Sequence, residues 1–329
     1  MNTMPNLRDV YTARNRIKGY AIRTPFIASP ALEEEAGAAA VYLKLESLQN
    51  TGAFKVRGAA NKILGLSEEE RRRGVVTFST GNHGKAVAFV AGKSGIPATV
   101  CLSEHVPAYR AELIRSFGAS VHIEGQSQDE AEAAYERMRK EKGLVPVVPF
   151  DDPAIVAGQG TIALEMLEER PDLDVLLVPL SGGGLLAGVA LCAKSVNPTI
   201  KVVGVSIERS PAMLESLKAG HPVAVEEKDT LADSLLGGIG TENHYTLPLI
   251  SRYVDDHIVV GEEEIRKGLY YALKKHSLVI EGAAAVGIAA ILAGKVSASG
   301  GNVGLVVSGS SVELDRYIEV VRREADAES

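Results

Sequence analysis

Lys55 is the residue of this sequence whose surroundings best suit covalent chemistry. It lies in the segment NTGAFKVRG at 50–58, after a turn-forming Thr-Gly pair and an apolar Ala-Phe pair, at the predicted start of a helix. Most lysines are solvated surface charges. Burial at this position would instead lower the pKa of the amine, as a lysine that forms a Schiff base requires.

A second candidate site is the glycine-rich segment SGGGLLAG at 181–188, between an apolar run and an apolar helix. Successive glycines allow close backbone approach, and free N–H groups at a helix N-terminus attract an anion, most naturally a phosphate. A close crossing of strand and helix would also explain the glycines. Gly182-x-Gly184-x-x-Ala187 satisfies the loose dinucleotide pattern, with Glu208 24 residues beyond Gly184, so a NAD-dependent oxidoreductase is an alternative.

The absence of a GK[ST] ending argues against ATP or GTP at this loop. A lysine able to form a Schiff base, combined with a phosphate-binding loop, favours pyridoxal phosphate over a nucleotide.

The elements that must position these residues follow an alternating pattern. Short β-branched runs occur at 75–78, 98–102, 120–123, 145–148, 175–180, 201–205 and 304–307, mostly separated by helical periodicity. Alternating strands and helices indicate parallel sheets that are covered on both faces. Three strands end in small or polar residues, at 79–84, 181–184 and 308–311, where open α/β sheets bind ligands.

Length and composition exclude several classes of protein. The chain has 329 residues, 46% of them hydrophobic, with 35 basic and 42 acidic side chains and a net charge of −7. This balance argues against nucleic acid as a ligand. The longest apolar run, 282–294, is too short to span a membrane and predicts a buried helix, and the N-terminus lacks a signal sequence. Cys101 and Cys192 show no metal-ligand spacing and suit a reducing cytoplasm.

Six motifs together resemble the threonine/serine dehydratases, pyridoxal-phosphate enzymes of the tryptophan-synthase-β fold type. They are TGAFKVRGA at 51–59, STGNHGKA at 79–86, SGGGLLAG at 181–188, TLAD at 230–233, EGAAA at 281–285 and VSGS at 307–310. The resemblance extends from about Leu7 to about Val320. It implies an α/β fold with two open, twisted, mostly parallel sheets flanked by helices, and pyridoxal 5'-phosphate as the cofactor.

The resemblance also implies roles for individual residues. Lys55 would carry the cofactor as a Schiff base and take the Cα proton of the substrate. The expected cofactor contacts are Phe54, Lys55, Asn82, Ser181, Gly182, Gly183, Gly184, Leu185 and Ser308, with Asn82 at the phenolic oxygen and Ser308 at the pyridine nitrogen. The expected substrate contacts are Ser79, Thr80, Gly81, Asn82 and His83, which would hold the carboxylate.

The serine at the pyridine position bears on the reaction. A hydroxyl can donate to an unprotonated ring nitrogen, which makes the ring a weaker electron sink than one paired with a carboxylate. This favours loss of the β-hydroxyl close in time to Cα deprotonation. The resemblance therefore implies elimination of water from a 3-hydroxy amino acid such as L-threonine or L-serine, giving a 2-oxo acid and ammonia.

Departures from the family pattern leave the substrate open. Ser181 replaces a glycine, Ala53 a serine, and Ser310-Ser311 a Gly-Asn pair, while the turn Ala232-Asp233-Ser234 resembles that of hydroxyectoine-utilization dehydratases. A hydroxyectoine-derived hydroxy amino acid is therefore an alternative substrate. A non-catalytic binding or regulatory protein of the same fold is a third hypothesis, after the dehydratase and the NAD-dependent enzyme.

Two further departures concern side activities. Racemases of this family have a serine at the position of Thr80, so we expect elimination without appreciable racemisation. Ser206 stands where metal-binding members have a glutamate, so we expect no metal site.

The predicted organisation is a large cofactor-binding domain, 1–73 and 150–329, and a small domain, 74–149, that carries the substrate-carboxylate loop. We expect a site between the two domains and a cytoplasmic homodimer that binds a small-molecule amino acid and neither nucleic acid nor membrane. Because only 312–329 follow the last motif, we expect a catabolic enzyme without a carboxyl-terminal regulatory domain.

Overall fold

The computed structural model describes residues 3–79, 81–104, 106, 108–125, 128–296, 298 and 300–328. The first seven helices are Leu7–Arg16 (α1), Pro30–Ala36 (α2), Lys55–Leu64 (α3), Glu68–Arg73 (α4), Asn82–Ser94 (α5), Ala108–Ser116 (α6) and Gln128–Lys142 (α7). The following seven are Pro153–Glu169 (α8), Gly184–Val196 (α9), Ala212–Ala219 (α10), Thr246–Tyr253 (α11), Glu262–His276 (α12), Gly282–Leu292 (α13) and Leu314–Glu328 (α14).

In the described part of the chain, ten strands form two sheets. They are Phe26–Ala28 (β1), Ala40–Leu45 (β2), Val75–Phe78 (β3), Ala98–Leu102 (β4), Ser120–Ile123 (β5), Val145–Pro146 (β6), Val175–Pro179 (β7), Lys201–Ile207 (β8), Asp256–Val260 (β9) and Asn302–Val307 (β10). One sheet has the order β1-β2-β10-β7-β8-β9 and the other the order β5-β4-β3-β6. All neighbours are parallel except β1 and β2. The predicted fold, two open and mostly parallel sheets flanked by helices, is confirmed.

The central strands of the larger sheet are buried, which explains why their apolar sequence pattern predicted them. Every residue of β7 is buried, and β10 is buried from Val303 onward. Such strands are continuous apolar runs because helices cover both faces of a parallel sheet. The predicted buried helix in the run 282–294 is also confirmed, since α13 is buried along ten of its eleven residues.

The sequence prediction missed three strands and misjudged one. β1 and β9 lie at the edges of the larger sheet, where most of their residues are exposed or half-buried and the apolar signal is weak. β2 contains Lys44, a charge in an otherwise apolar run, which is fully buried because its amine donates to Glu165 Oε2 at 2.6 Å. The predicted strand at 145–148 has only two residues in the sheet.

The order of the strands brings the predicted loops together. β10 and β7 are parallel neighbours, so the loops after Val307 and Pro179 lie at the same edge of the larger sheet. Helices α3 and α5 share a buried core that includes Val56, Ala59, Val87 and Val90. The start of α3 and the start of α5 are thereby held near each other. No helix in the described part of the chain is both long and apolar enough to cross a membrane.

Candidate active site

Lys55 is the first residue of α3, and its side chain is half-buried. The Nζ atom donates to the backbone carbonyl of Pro149 at 2.9 Å and lies 5.2 Å from the centroid of the Phe54 ring. Burial lowers the pKa of this amine to about 8, and the nearby carboxylate of Glu281 opposes that shift only in part. Roughly a tenth of a free Lys55 amine is therefore neutral and nucleophilic at pH 7, far more than for an exposed lysine.

Ser308 is held next to Lys55 by backbone hydrogen bonds. The Phe54 N–H donates to the Ser308 carbonyl at 3.0 Å, and Ala53 forms an antiparallel bridge with Gly309. The Ser308 side chain is only 2% exposed, yet its hydroxyl has no hydrogen-bond partner among the described residues. This hydroxyl can therefore donate to a ligand atom.

The glycine loop begins α9 after β7. Gly183 is the N-cap residue and has φ +88°, a left-handed conformation that favours glycine. A Cβ at Gly182 would lie 2.4 Å from the Phe150 ring, and one at Gly183 would lie 2.6 Å from Ile250 Cδ1. The close crossing that was the alternative explanation of these glycines is thus present.

The same loop also has the donors that phosphate binding requires. The Ala187 N–H donates to the Gly183 carbonyl at 2.8 Å and completes the first turn of α9. The N–H groups of Gly183, Gly184, Leu185 and Leu186 precede that turn and, as at any helix start, have no intrahelical acceptor. Ser181, half-buried, and Gly182 precede them. This helix start can hold an anion.

The predicted substrate loop follows β3 and starts α5. Ser79 is half-buried, Gly81 is the N-cap residue, and Asn82 and His83 are buried in the first turn. A Cβ at Gly81 would meet no atom within 4 Å, so the helix start is open there. Thr80 lies outside the described residues. A cavity of about 200 Å³ adjoins Gly81 and Asn82 and is lined also by Lys85, Arg110 and Asp233.

His83 is a neutral side chain with a free acceptor atom. Its Nε2 is 2.8 Å from the Val147 carbonyl oxygen, which can only accept, so Nε2 carries the proton. Its Nδ1 is buried and has no partner among the described residues. Burial, together with the charge of Lys55, lowers the pKa of His83 to about 3. At neutral pH this side chain is therefore the uncharged imidazole and not an imidazolium that could act as a general acid.

Comparison with known proteins agrees with this geometry. The sequence pattern of the family described as "Pyridoxal-phosphate dependent enzyme" matches residues 17–309. The chain belongs to the pyridoxal-phosphate-dependent enzymes.

Individual relatives cover almost the whole chain. A protein of Sinorhizobium fredii named putative threonine dehydratase is 47% identical over 323 residues, which are 98% of this chain and 97% of that one. The L-threo-3-hydroxyaspartate ammonia-lyase of Saccharomyces cerevisiae is 37% identical over 98% of both chains. The structure of maize serine racemase superposes with a TM-score of 0.90 at 32% identity, over 99% of both chains.

These findings confirm the resemblance to the threonine/serine dehydratases, the fold type, pyridoxal phosphate as the cofactor and the class of enzyme, a pyridoxal-phosphate-dependent lyase. They lend no support to the NAD-dependent oxidoreductase.

The residues at this site have the chemical groups that pyridoxal phosphate requires. The cofactor needs an amine, an anion site and a polar partner for the ring nitrogen. Lys55 has the amine with a lowered pKa, and the start of α9 has the free N–H groups. His83 Nδ1 is a buried polar atom, without a partner among the described residues, that a bound molecule would satisfy, and the Ser308 hydroxyl can donate to a ring nitrogen. The pyridoxal-phosphate-dependent enzyme would hold its cofactor there.

The sequence prediction missed a buried group beside Asn82. Glu281, immediately before α13, is 4% exposed and accepts hydrogen bonds from Asn82 Nδ2 at 3.0 Å (Oε1) and 2.9 Å (Oε2). Burial raises the pKa of Glu281 to about 7, and the charge of Asp233 adds to that shift. The EGAAA motif contained this residue without a role. One acid at the head of an apolar helix was the available signal.

A second missed group is a cluster of four buried charges, here called the Arg57 cluster: Lys44, Glu46, Arg57 and Glu165. Arg57 donates to Glu46 through Nε and one terminal nitrogen, both at 2.8 Å, and to Glu165 at 2.7 and 2.8 Å. Lys44 completes the cluster by donating to Glu165. Because Arg57 is two residues after Lys55, the cluster anchors the first turn of α3.

Proposed function

We propose that this enzyme eliminates water from a 3-hydroxy amino acid of the L-threonine or L-serine type and releases a 2-oxo acid and ammonia. The observation that carries the proposal is the pairing of Lys55, an amine whose pKa is lowered to about 8, with the buried hydroxyl of Ser308. The names of relatives, among them a putative threonine dehydratase and a hydroxyaspartate ammonia-lyase, support the same class of substrate.

The proposed reaction conserves all atoms. The Cα–H and Cβ–OH bonds break, the hydroxyl leaves as water with a proton, and a Cα–Cβ double bond forms. The resulting enamine takes up water and loses ammonia, so the net products are one 2-oxo acid and one ammonium ion. When bound, pyridoxal phosphate supplies the electron sink that makes the Cα–H bond acidic.

Lys55 is the proposed catalytic residue. Its Nζ binds the cofactor and, when released, takes the Cα proton, because its lowered pKa leaves part of the amine neutral at pH 7–8. The amine lies 5.2 Å from the centroid of the Phe54 ring, in a half-buried position.

The start of α5 is the proposed binding site for the substrate carboxylate. The N–H groups of Asn82 and His83 at this helix start suit an anion, and the neutral ring of His83 adds no competing charge. Ser79, Thr80 and Asn82 belong to the same proposed set. Substitution of Gly81 with a bulky residue would fill the open space at this helix start and block the approach of the substrate carboxylate.

Ser308 is the proposed partner of the ring nitrogen. A hydroxyl can donate to a neutral nitrogen and does not stabilise a protonated one as a carboxylate would. This choice favours prompt loss of the β-hydroxyl over a long-lived carbanion, which supports elimination over transamination.

The identity of the substrate is the finer part of the proposal. The 200 Å³ cavity beside Asn82 is lined by Lys85, Arg110 and Asp233, so polar or charged side chains could extend toward it. The turn containing Asp233 and Ser234 keeps a hydroxyectoine-derived hydroxy amino acid as the alternative. The rates of turnover of four candidate substrates would identify the preferred one: L-threonine, L-serine, L-threo-3-hydroxyaspartate and the hydroxyectoine-derived amino acid.

The decisive experiment measures the cofactor spectrum and the products together. The purified protein, supplied with pyridoxal phosphate, should show a visible absorption band, and turnover of one of the four substrates should release 2-oxo acid and ammonia in equal amounts. Lys55→Ala should lose the band and at least about 10³-fold in rate, as for loss of an essential catalytic group. A colourless protein that takes up no pyridoxal phosphate would contradict the proposal.

Other expectations from the resemblance stay proposals. They are a cytoplasmic homodimer, a small domain at 74–149 that closes on the substrate, and activity without a divalent metal. Light scattering measures the oligomeric state, and an assay after chelation tests whether activity requires a divalent metal. Slow D-serine formation from L-serine, relative to elimination, is expected from Thr80.

A further inference from the structure

Four side chains form one continuous series of hydrogen bonds, here called the Asn82 chain: Lys85, Ser311, Asn82 and Glu281. Lys85 Nζ lies 2.8 Å from Ser311 Oγ, and Ser311 Oγ lies 2.6 Å from Asn82 Oδ1. Asn82 Nδ2 lies within 3.0 Å of both Glu281 oxygens. The series thus links an ammonium to a carboxylate through a hydroxyl and an amide.

The chemistry of the two ends gives this series one direction. An ammonium can only donate, so Ser311 Oγ accepts from Lys85 and turns its own O–H toward Asn82 Oδ1. A carboxylate can only accept, so the Asn82 NH₂ group must face Glu281. If the Asn82 amide were flipped, its oxygen would face the Glu281 carboxylate and its NH₂ group would face the hydroxyl hydrogen of Ser311, and both contacts would be repulsive. Only one orientation of the Asn82 amide is therefore satisfied.

The backbone after Ser308 is built around the same carboxylate. The Ser311 N–H donates to Glu281 Oε2 at 3.1 Å, and the Glu281 N–H donates to the Gly309 carbonyl at 3.2 Å. A Cβ at Gly309 would lie 2.7 Å from Glu281 Oε1, so only glycine permits this approach. Glu281 thereby ties Asn82 on α5 to the segment that carries Ser308.

We propose that Glu281, Ser311 and Lys85 are positioning residues that hold the Asn82 amide with its NH₂ group available to an oxygen of the cofactor. One carboxylate needs only one of the two amide hydrogens, so the second remains free to donate. The inference deepens the proposed function and rests on it, because it takes Asn82 as the residue that contacts the phenolic oxygen of pyridoxal phosphate.

The free energy required to bury the Glu281 charge supports a role for this residue beyond packing. Glu281 has no cation in direct contact among the described residues, and its ammonium counterpart is two side chains away. A neutral glutamine would bury less charge in the same volume. Buried charge kept without a contact ion pair is typical of functional sites rather than of structural ones.

The test compares two serines that lie next to each other. Ser311 belongs to the Asn82 chain, whereas the Ser310 hydroxyl donates to the carbonyls of Ser47 and Gly52 at 3.1 and 3.2 Å. For Ser311→Ala we expect an approximately fivefold or larger weakening of pyridoxal-phosphate affinity and a shifted visible band, since one hydrogen bond is worth about 1 kcal/mol. Ser310→Ala should bind within about twofold of wild type and keep the band.

Two more variants sharpen the result. Ser311→Thr keeps a hydroxyl and should restore most of the affinity and the band position, which a purely steric role would not explain. Glu281→Gln removes the charge and should weaken cofactor binding at least about tenfold, as one charge-assisted hydrogen bond is worth more than a neutral one. If Glu281→Gln does not fold, the two serine variants decide.

The possible results distinguish a failure of the positioning role from a failure of the proposed function. A wild-type protein that binds pyridoxal phosphate and eliminates water, while Ser311→Ala matches Ser310→Ala in affinity and spectrum, would overturn the inference and leave the function standing. A wild-type protein that binds no pyridoxal phosphate would overturn both.

Discussion

The Arg57 cluster and the Asn82 chain each contain a buried glutamate, but the pKa values of the two carboxyl groups shift in opposite directions. The pKa of Glu46 in the Arg57 cluster is held below its ordinary value, although burial opposes this, because the Arg57 guanidinium is in direct contact. The pKa of Glu281 is raised to about 7, because burial dominates and the ammonium of Lys85 is connected to it only indirectly, through Asn82 and Ser311, among the described residues.

The difference shows how contact geometry decides the effect of burial. Glu46 accepts two hydrogen bonds from Arg57, one from Thr24 at 2.5 Å and one from Gln49 at 3.2 Å. Its lone pairs are satisfied and its charge is matched, so the cluster is a fixed anchor for α3. Glu281 accepts from an amide and a backbone N–H, which satisfy its geometry but not its charge.

The largest effect should come from breaking the anchor. Arg57→Met leaves Glu46 and Glu165 buried without their guanidinium, so we expect a loss of about 3–5 kcal/mol in the free energy of unfolding, measured with urea. Arg16→Met is a suitable control, since Arg16 is exposed and donates only to Asn61 Oδ1 at 2.7 Å among the described residues. A change below about 1 kcal/mol in Arg57→Met would mean that the cluster is not the anchor described above.

The Asn82 chain should show itself in the pH dependence of stability. Because the pKa of Glu281 is raised from 4.5 to about 7, the folded state holds more protons than the unfolded state between these values. Stability from this group therefore falls as pH rises through that window, by at most about 3 kcal/mol. The difference in unfolding free energy between the cofactor-free wild type and Glu281→Gln should fall accordingly from pH 4.5 to pH 7.

This difference also distinguishes the two regions directly. A carboxyl with a lowered pKa, like Glu46, contributes stability at higher pH that is lost as pH falls. If the wild type minus Glu281→Gln difference rises with pH or stays flat, Glu281 is compensated like Glu46 and the contrast between the regions is wrong.

A smaller effect is expected at Lys55. Its pKa is lowered from 10.5 to about 8, so the folded state holds fewer protons than the unfolded state between these values. Stability from this group therefore rises as pH rises from about 8 to about 10.5. Because the side chain is only half-buried, solvent reduces the effect to about 1–2 kcal/mol.

The measurement compares cofactor-free wild type with Lys55→Met in urea at pH 8 and at pH 10. Wild type should gain on the variant as the pH rises. An equal difference at both values would show that Lys55 titrates near its ordinary pKa, and would remove one support for its role as the base.

The sequence predicted the parts of the fold that have a local signal. Central strands such as β7 and β10 are apolar runs, and α13 is an apolar helix of the length expected for a buried one. β2 was missed because Lys44 interrupts its apolar pattern, and the residue that neutralises Lys44, Glu165, is 121 positions away. No local pattern can reveal a charge pair formed at that separation.

The site divides in the same way. Lys55, the glycine loop and Ser308 were found from residue type and from their places in short motifs, since each follows or begins a regular element. Glu281 lies in the EGAAA motif and Ser311 in the loop after β10, but neither position indicated a contact with the site. Their partner Asn82 is 199 and 229 positions away, and only the packing of α3 against α5, with β10 between its neighbours, brings the three together.

The sequence by itself determined which chemical groups are present and which elements carry them: an amine at the start of α3, glycines at the start of α9 and a hydroxyl at the end of β10. The tertiary structure decided how those groups behave. Burial lowers the pKa of Lys55, contact with Arg57 lowers that of Glu46 against the effect of burial, and burial raises that of Glu281. Protonation depends on desolvation and on charges within a few ångströms, and those distances exist only in the folded chain.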